Sequence, residues 1–360
     1  MRKPRKILQI TSYPPPRSGW GIRAQFLKRH LEAEGHACVV LNIGISRKVP
    51  SAEYETVLGA WDYVSKVWKY SREGFTAHVH VNGASIKGLG LALAAEGINL
   101  ASGKRCFLTF HAGVEQKYFP RRKAPWLWPI FWSMFAIPTR IICNSESVKA
   151  EIEKYGIARD KISAIPAFSR QYLEFEPARL PDPVERFYAR FSCILFCYIN
   201  LRPLFYPVEL VEGFARLVER RRDVGLVLCG LSGYPEADIS AAVSQCIAQR
   251  SLEDRICLVG DLDHDQFLTA LSRANVYLRS HVSDGVCSSV LEALALGVPV
   301  VASENGHRPP GVLTYQASNA ENLAKTLDQT LSKRDAIVAS LPPPQIPDTV
   351  SVEVQMLIGA

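Results

Sequence analysis

No stretch of the 360-residue chain is apolar for long enough to cross a bilayer as a helix, which argues against a helical integral membrane protein. The basic start MRKPRK is followed only by the short ILQI, so a secretory signal is not expected. No two of the nine cysteines are spaced as Cys-x-x-Cys, which speaks against a zinc ribbon or a dithiol redox site. Cys38, Cys106, Cys143, Cys193, Cys197, Cys229, Cys246, Cys257 and Cys287 mostly fall inside apolar runs. They are expected to be small core residues in a reducing compartment. No basic run is joined to a nucleic-acid recognition module, so a nucleic-acid partner is not expected. The excess of seven positive charges is modest and suits anionic substrates or a membrane surface. Gly19 and Gly21 follow the first apolar run, but the third glycine of the dinucleotide fingerprint is missing.

What is present is a long alternation of short apolar runs and helical periods. A hydrophobic content of 48% can fill buried cores, and the length suggests two of them. Strands are predicted at 7–11, 38–43, 78–81, 106–110 and 140–143, with helices at 21–34, 54–71 and 86–100 between them. A further helix is expected from Asn144-Ser145 to Tyr155-Gly156, with Ser145 as its N-cap. The second half predicts strands at 193–198, 225–229, 255–259, 276–278 and 299–302. Its helices fall at 208–221, 236–250, 265–274, 288–296 and 320–332. Two rounds of this alternation imply an α/β chain of two doubly wound, parallel-sheet domains. The span rich in Pro166, Pro177, Pro181 and Pro183 lacks a clear period and reads as the join. The expected division is 1–168, a linker at 169–190, 191–340, and a tail at 341–360 that is irregular except for a short helix near its end. Ligands of such sheets bind outside the carboxyl ends of strands, and the crevice between facing domains is the expected site.

The most informative stretch is 283–303, SDGVCSSVLEALALGVPVVAS. It reads as a turn at Asp284-Gly285, then a helix with Val290, Leu291, Leu294 and Ala295 on one face. Gly297 stops that helix, and a buried strand follows. Ser288 and Ser289 fall in the first helical turn, where exposed N–H groups and the helix dipole suit a phosphate. Glu292 lies one turn on, and Asp284 stands on the loop before it; carboxylates accept hydrogen bonds from sugar hydroxyls. Taken alone, each carboxylate also fits a turn residue or a solvated helix face.

An acid, seven residues and a Glu, followed by EALALGVPVVAS, resembles the nucleotide-sugar half of GT-B glycosyltransferases, family 4 most of all. The resemblance runs from Ile7 to about Leu331. It implies two Rossmann-like domains facing a central cleft, and retaining transfer of a sugar from a nucleotide diphosphate-sugar to a hydroxyl acceptor. It implies no cofactor and no metal, because cations and a helix start neutralise the diphosphate. By resemblance Asp284 with Gly285 lies at the donor sugar, Ser288 and Ser289 at the diphosphate, and Glu292 at the ribose. His111, which follows the fourth strand in LTFHAG, would sit beside donor sugar and acceptor. Gly19, Trp20 and Gly21 would form a loop near acceptor and phosphates, and Asn82 would border the acceptor side. Arg202 matches one of the family's two diphosphate cations. The other, a lysine, is missing: Pro207 stands in its place beside Tyr206. The candidate substitutes are Arg279 first and Arg308 next, and a second Arg from this pair is expected to reach the phosphates.

Lys117, Arg121, Arg122 and Lys123 precede Trp126, Trp128, Phe131, Trp132 and Phe135. That strip fits either a core helix with a basic flank or an interfacial contact with anionic membrane. The expected location is cytoplasmic, with peripheral contact at the inner face, and the acceptor a saccharide or lipid-linked saccharide. Two alternatives stay open on the sequence: a non-catalytic nucleotide-sugar-binding protein, suggested by the missing lysine, and a nucleotide-sugar epimerase of the same fold.

Overall fold

The computed structural model describes residues 4–15, 17–113, 116–231, 236–283 and 287–359. The chain forms two units. The first holds Met1–Gln171 together with Ile346–Ala360, and the second holds Tyr172–Gln345.

The first unit alternates β1 (Lys6–Thr11), α1 (Gly19–Ala33), β2 (Ala37–Asn42), α2 (Ala60–Arg72), β3 (Thr76–Val81), α3 (Ile86–Ala101) and β4 (Phe107–Phe110). It continues through α4 (Trp128–Ala136), β5 (Arg140–Cys143), α5 (Glu146–Glu153) and β6 (Ile162–Ala164). Among the described residues its strands form one parallel sheet of order β2-β1-β3-β4-β5-β6. Strand order reverses between β1 and β3, so the carboxyl ends of β1, β3 and β4 border the natural ligand position.

Strand alternation sorts this sheet into two unlike faces. Leu8, Ile10, Val79, Val81, Leu108, Phe110, Ile141 and Cys143 enter one large apolar core. On the other face Gln9, Thr11, His78, His80 and Thr109 are buried and polar.

The second unit contains α6 (Asp182–Arg190), β7 (Cys193–Tyr198), α7 (Pro207–Arg220), β8 (Val224–Cys229), α8 (Ala237–Gln249), β9 (Ile256–Leu258), α9 (His264–Ser272) and β10 (Val276–Arg279). There follow α10 (Ser288–Ala295), β11 (Val300–Ser303), β12 (Val312–Tyr315), α11 (Ala320–Ser332) and α12 (Arg334–Ser340). Its sheet is parallel, in the order β12-β11-β10-β7-β8-β9, and the reversal lies between β7 and β10. Here both faces are apolar. Leu195, Cys197, Leu226 and Leu228 fill one core, while Ile194, Phe196, Val227 and Cys229 fill the other.

Three segments depart from the expected outline. The supposed linker contains α6, whose Val184 and Tyr188 pack with Leu180 into a core of the second unit. Its prolines start a helix: Pro183 stands in the first turn, where a missing N–H costs nothing. The helix expected from 54 begins only at Ala60, because Glu55 pairs with β2 through its N–H to the Val40 carbonyl at 2.8 Å and its carbonyl to the Asn42 N–H at 3.1 Å. The tail does end in the expected helix, α13 (Thr349–Gly359), but that helix belongs to the first unit and not to a separate tail. Asp348 holds its entry by accepting from Arg170 at 2.7 Å, and the Thr349 N–H donates to Ser169 Oγ at 3.0 Å. Strands β6 and β12 were not anticipated: only three and four residues long, they give too little alternation to read.

Candidate functional site

In the second unit the site residues gather at the carboxyl ends of β7 and β10 and at the start of α10. Helix α10 begins at Ser288 after Cys287, and among the described residues no side chain caps it. The N–H groups of Ser288 and Ser289 precede the first intrahelical bonds, which Val290 and Leu291 donate to the Cys287 carbonyl at 3.1 and 3.2 Å. Both serines are half-buried. The Ser289 hydroxyl is turned inward, accepting from the buried Tyr277 hydroxyl at 2.6 Å and lying 3.1 Å from Cys287 Sγ. Desolvation raises the Tyr277 phenol well above its ordinary value, so it stays a donor. Glu292 is only 1% exposed, which removes the solvated-helix-face alternative. A carboxylate is rarely this buried without a polar task. Asp284 and Gly285 lie outside the described residues.

The cations behave differently from one another. Arg202 is exposed at the head of a short 3-10 turn, Pro203–Phe205. Tyr206 then adopts a left-handed conformation, φ 46°, and Pro207 takes the first position of α7. The position matched to the family lysine is thus spent on starting a helix. Arg279, 7% exposed, ends β10, donates to the Tyr198 carbonyl at 3.1 Å, and lies over the Phe205 ring at 5.2 Å. Arg308 donates to the Ser303 carbonyl at 2.9 Å and the His281 carbonyl at 2.6 Å, tying its loop to the ends of β10 and β11. Both substitutes are anchored to backbone near the strand ends and neither is turned out into solvent.

In the first unit the structure brings Trp20 and His111 together. Gly19, Trp20 and Gly21 are not a loop: they form the first turn of α1, because Ser18 caps it by accepting from the Gly21 N–H at 3.2 Å. A Cβ at Gly21 would come within 2.8 Å of that hydroxyl, so the cap requires glycine there. The Trp20 ring meets His111 edge-on, with centroids 5.3 Å apart. His111 continues the sheet, its N–H donating to the Val81 carbonyl at 2.7 Å. Asn82, half-buried just past β3, accepts from the Ala84 N–H at 3.1 Å in a local turn.

Beneath His111 lies a buried polar layer that sequence reasoning missed. His80 Nδ1 is 2.8 Å from His111 Nε2, and the His78 and His80 rings lie 4.2 Å apart. His78 Nε2 is 2.7 Å from Thr109 Oγ1, and Thr109 donates to Glu353 of α13 at 3.0 Å. Glu353 forms a fully buried ion pair with Arg23 of α1. Burial pushes His78 down to about 4; the Glu353 carboxylate opposes that shift and Arg23 adds to it. Burial and neighbouring positive charge hold His80 and His111 well below the ordinary histidine value, although part of His111 reaches solvent. The alternation in HVH, which puts both histidines on one sheet face, was the available signal. So were a lone Arg and a lone Glu on the otherwise apolar faces of α1 and α13.

The run from Asp261 to Asp265 alternates acids in a metal-like spacing, but Asp263 caps α9 by accepting from the Gln266 N–H at 2.8 Å. Among the described residues no group of three or more His, Cys, Asp or Glu is placed to hold a metal ion.

The Trp-rich strip is part core and part surface. Phe131, Met134 and Phe135 of α4 are buried in the core, while Trp126 and Trp132 are 65% and 44% exposed. Arg121 lies 5.3 Å over Trp128, and Arg121, Arg122, Pro125, Glu151 and Lys154 line a surface hollow beside them. No helix among the described residues is long and apolar enough to cross a membrane.

Two parallel sheets, each with a switch point, define a doubly wound α/β architecture, and sequence comparison narrows it. Residues 18–168 match the family model for Glycosyltransferase Family 4, and residues 193–337 match that for Glycosyl transferases group 1. Together the two matches span most of the chain, which belongs to the GT-B-fold glycosyltransferases. No curated protein matches it in sequence. Solved structures share its fold. HepE of Anabaena, crystallised with UDP and glucose, superposes with a TM-score of 0.69 at 16% identity, over 98% of each chain. Sucrose-phosphate synthase of Thermosynechococcus elongatus gives 0.64 at 15% identity over 98% of both. UDP-GlcNAc 2-epimerase of Neisseria meningitidis, bound to UDP-GlcNAc, gives 0.64 at 12% identity over 99% and 100%.

Proposed function

We propose that this chain transfers a hexosyl group from a nucleotide diphosphate-sugar, with UDP as the first candidate nucleotide, to a hydroxyl of a saccharide or lipid-linked saccharide. The observation that carries this is the start of α10, which no side chain caps among the described residues, with Glu292 buried one turn on, inside the region matching Glycosyl transferases group 1. The N–H groups of Ser288 and Ser289 and the exposed Arg202 hold the diphosphate. Glu292 accepts from the ribose hydroxyls, and Asp284 with Gly285 meets the sugar. Arg279 and Arg308 brace the strand ends behind them. In the first unit His111 and Trp20, with Gly19, Gly21 and Asn82 nearby, take the acceptor side. Departure of the nucleotide diphosphate leaves an oxocarbenium-like sugar, and the helix start and Arg202 stabilise the charge that builds on the leaving oxygen. Retention of configuration and independence of metal or cofactor follow the family 4 likeness of residues 18–168.

The test is release of nucleoside diphosphate from a panel of nucleotide sugars, with product analysis. Arg202→Ala should lower turnover by about ten- to a thousandfold, the order for a single charge-stabilising group. An epimerised sugar nucleotide would support the second reading, which the fold shared with the 2-epimerase favours. Binding without any consumption would make the protein a non-catalytic binder.

The lipid-linked acceptor rests on the exposed Trp126 and Trp132 beside Arg121, Arg122 and Lys123, which suit a cytoplasmic protein docked at an anionic inner leaflet. Each basic residue at such a surface is worth about 1 kcal/mol. Charge reversal at 121, 122 and 123 should therefore abolish co-sedimentation with anionic liposomes at low salt. Wild-type protein that ignores such liposomes would leave a soluble saccharide as the acceptor.

A further inference from the structure

The bond between His80 Nδ1 and His111 Nε2 holds one proton, and the buried layer around it determines which ring supplies it. The rings are nearly parallel, 15° apart, so the two nitrogens meet in a common plane. His78 shows how this layer treats an imidazole. Thr109 gives its only proton to Glu353, so its oxygen accepts from His78 Nε2–H. His78 Nδ1 is then left bare, and it is buried with no hydrogen-bond partner among the described residues. His80 repeats the pattern in reverse: its Nε2 is the buried atom without a partner among the described residues. If His111 donated to His80, the neutral His80 ring would have to carry its proton on that Nε2. An N–H would then be buried with nothing to accept it, and orphaned donors of this kind are rarer and costlier than an unused lone pair. Protonating both nitrogens of His80 is opposed by its burial and by the nearby positive charge of Arg23 on α1, whose partner Glu353 on α13 faces His78 and Thr109 instead.

We propose that His80 is a positioning residue that donates from Nδ1 to His111 Nε2 and so fixes His111 with its own proton on Nδ1, as a hydrogen-bond donor and not a general base. The inference rests on the glycosyl-transfer reading for what His111 then does, namely donate to an oxygen of the sugar or acceptor. The tautomer itself rests only on the geometry above.

Nitrogen-15 NMR of histidine-labelled full-length protein at pH 7 tests the tautomer without substrate, with His111→Asn identifying the signals. The expected spectrum has His111 protonated at Nδ1 and bare at Nε2. His80→Leu removes the donor and should let the His111 proton redistribute to Nε2. His80→Asn, whose amide nitrogen sits where Nδ1 does, should restore the Nδ1–H form. In turnover, His80→Leu should lower kcat about ten- to a hundredfold, the range for losing a partner that orients a functional histidine. The KM for the nucleotide sugar should barely move, and His80→Asn should recover most of kcat. A wild-type His111 protonated at Nε2, or a tautomer indifferent to His80→Leu, overturns the proposal, and the wild-type spectrum decides this even if the leucine variant does not fold. If no nucleotide sugar is consumed, the glycosyl-transfer reading fails while the spectrum still decides the role of His80.

Discussion

The two sheets share a parallel, switch-point topology but fill their interiors in opposite ways. In the second unit both faces are apolar, and polar groups are kept for strand ends and the start of α10. In the first unit one face is apolar and the other buries Gln9, Thr11, His78, His80 and Thr109 under α1 and α13. An apolar face needs only volume and shape. A buried polar face must also give its groups partners, and α13 returns from the end of the chain with Glu353 to serve both Thr109 and Arg23. The contrast teaches that the first unit depends on a specific tertiary contact from distant sequence, whereas the second is closed by ordinary packing.

The sharpest way to break that contrast is to remove one half of the ion pair. Glu353→Ala leaves Arg23 buried and uncompensated, which should cost about 3–5 kcal/mol. All six tryptophans lie in the first unit, so tryptophan fluorescence follows that unit alone. In a denaturant titration its midpoint should fall sharply, while circular dichroism retains a later transition from the second unit. Replacing Arg23 and Glu353 together by Met and Leu should recover much of the loss, since well-packed apolar pairs often match buried ion pairs. Equal shifts of both transitions would show that the polar layer is no private property of the first unit.

Acid is the milder way to the same end. His78 binds its proton near pH 4 when folded and near 6.5 when unfolded. The unfolded chain therefore takes up protons first as pH falls. The stabilisation is full above about 6.5 and is lost progressively toward 4, on the order of 3 kcal/mol for His78 alone. His80 and His111, which burial also holds below the ordinary histidine value, act in the same direction. The fluorescence midpoint should drop between pH 7 and 4.5, and His78→Asn should flatten that dependence. A fluorescence midpoint that holds steady over this range would contradict a neutral buried His78.

Most of the α/β alternation was legible because buried parallel strands are short apolar runs and their helices have a strong 3.6 period. The stretch from Ser288 to Ser303 unfolded as read, with Gly297 in the left-handed conformation expected of a helix stop. What escaped was set by pairs distant in sequence. Arg23 and Glu353 are 330 residues apart, and although each is a lone charge on an apolar helix face, neither helix indicates the other as its partner. Pro183 read as a linker residue because the start of a helix and the end of order use the same amino acid. At the site, Ser18 before Gly19 was a visible N-cap, yet the glycines suggested a loop. The inward turn of Ser289 depends on Tyr277, which only the sheet register brings beside it.

The comparison sharpens last on two buried glutamates, one in each unit. Glu353 is 0% exposed and Glu292 is 1% exposed, so burial alone would rank them alike. Their settings differ. Glu353 lies under the sheet within a closed layer, bound to Arg23 and Thr109, and its task is structural. Glu292 sits one turn into a helix that no side chain caps among the described residues, at the carboxyl end of the second sheet, where a ligand would bind. Glu292→Gln keeps the volume and removes only the charge-assisted acceptor. It should leave both unfolding transitions in place and weaken nucleoside diphosphate binding by about 1–3 kcal/mol, the range for a hydrogen bond to a charged group. Calorimetry with UDP, beside the same substitution at Glu353, measures both effects. The expected pattern is crossed: affinity lost and stability kept for Glu292, stability lost and residual affinity kept for Glu353. If Glu292→Gln instead destabilises the second unit and binding survives in the folded fraction, Glu292 is a core polar residue, and the nucleotide must be held by other groups near the helix start.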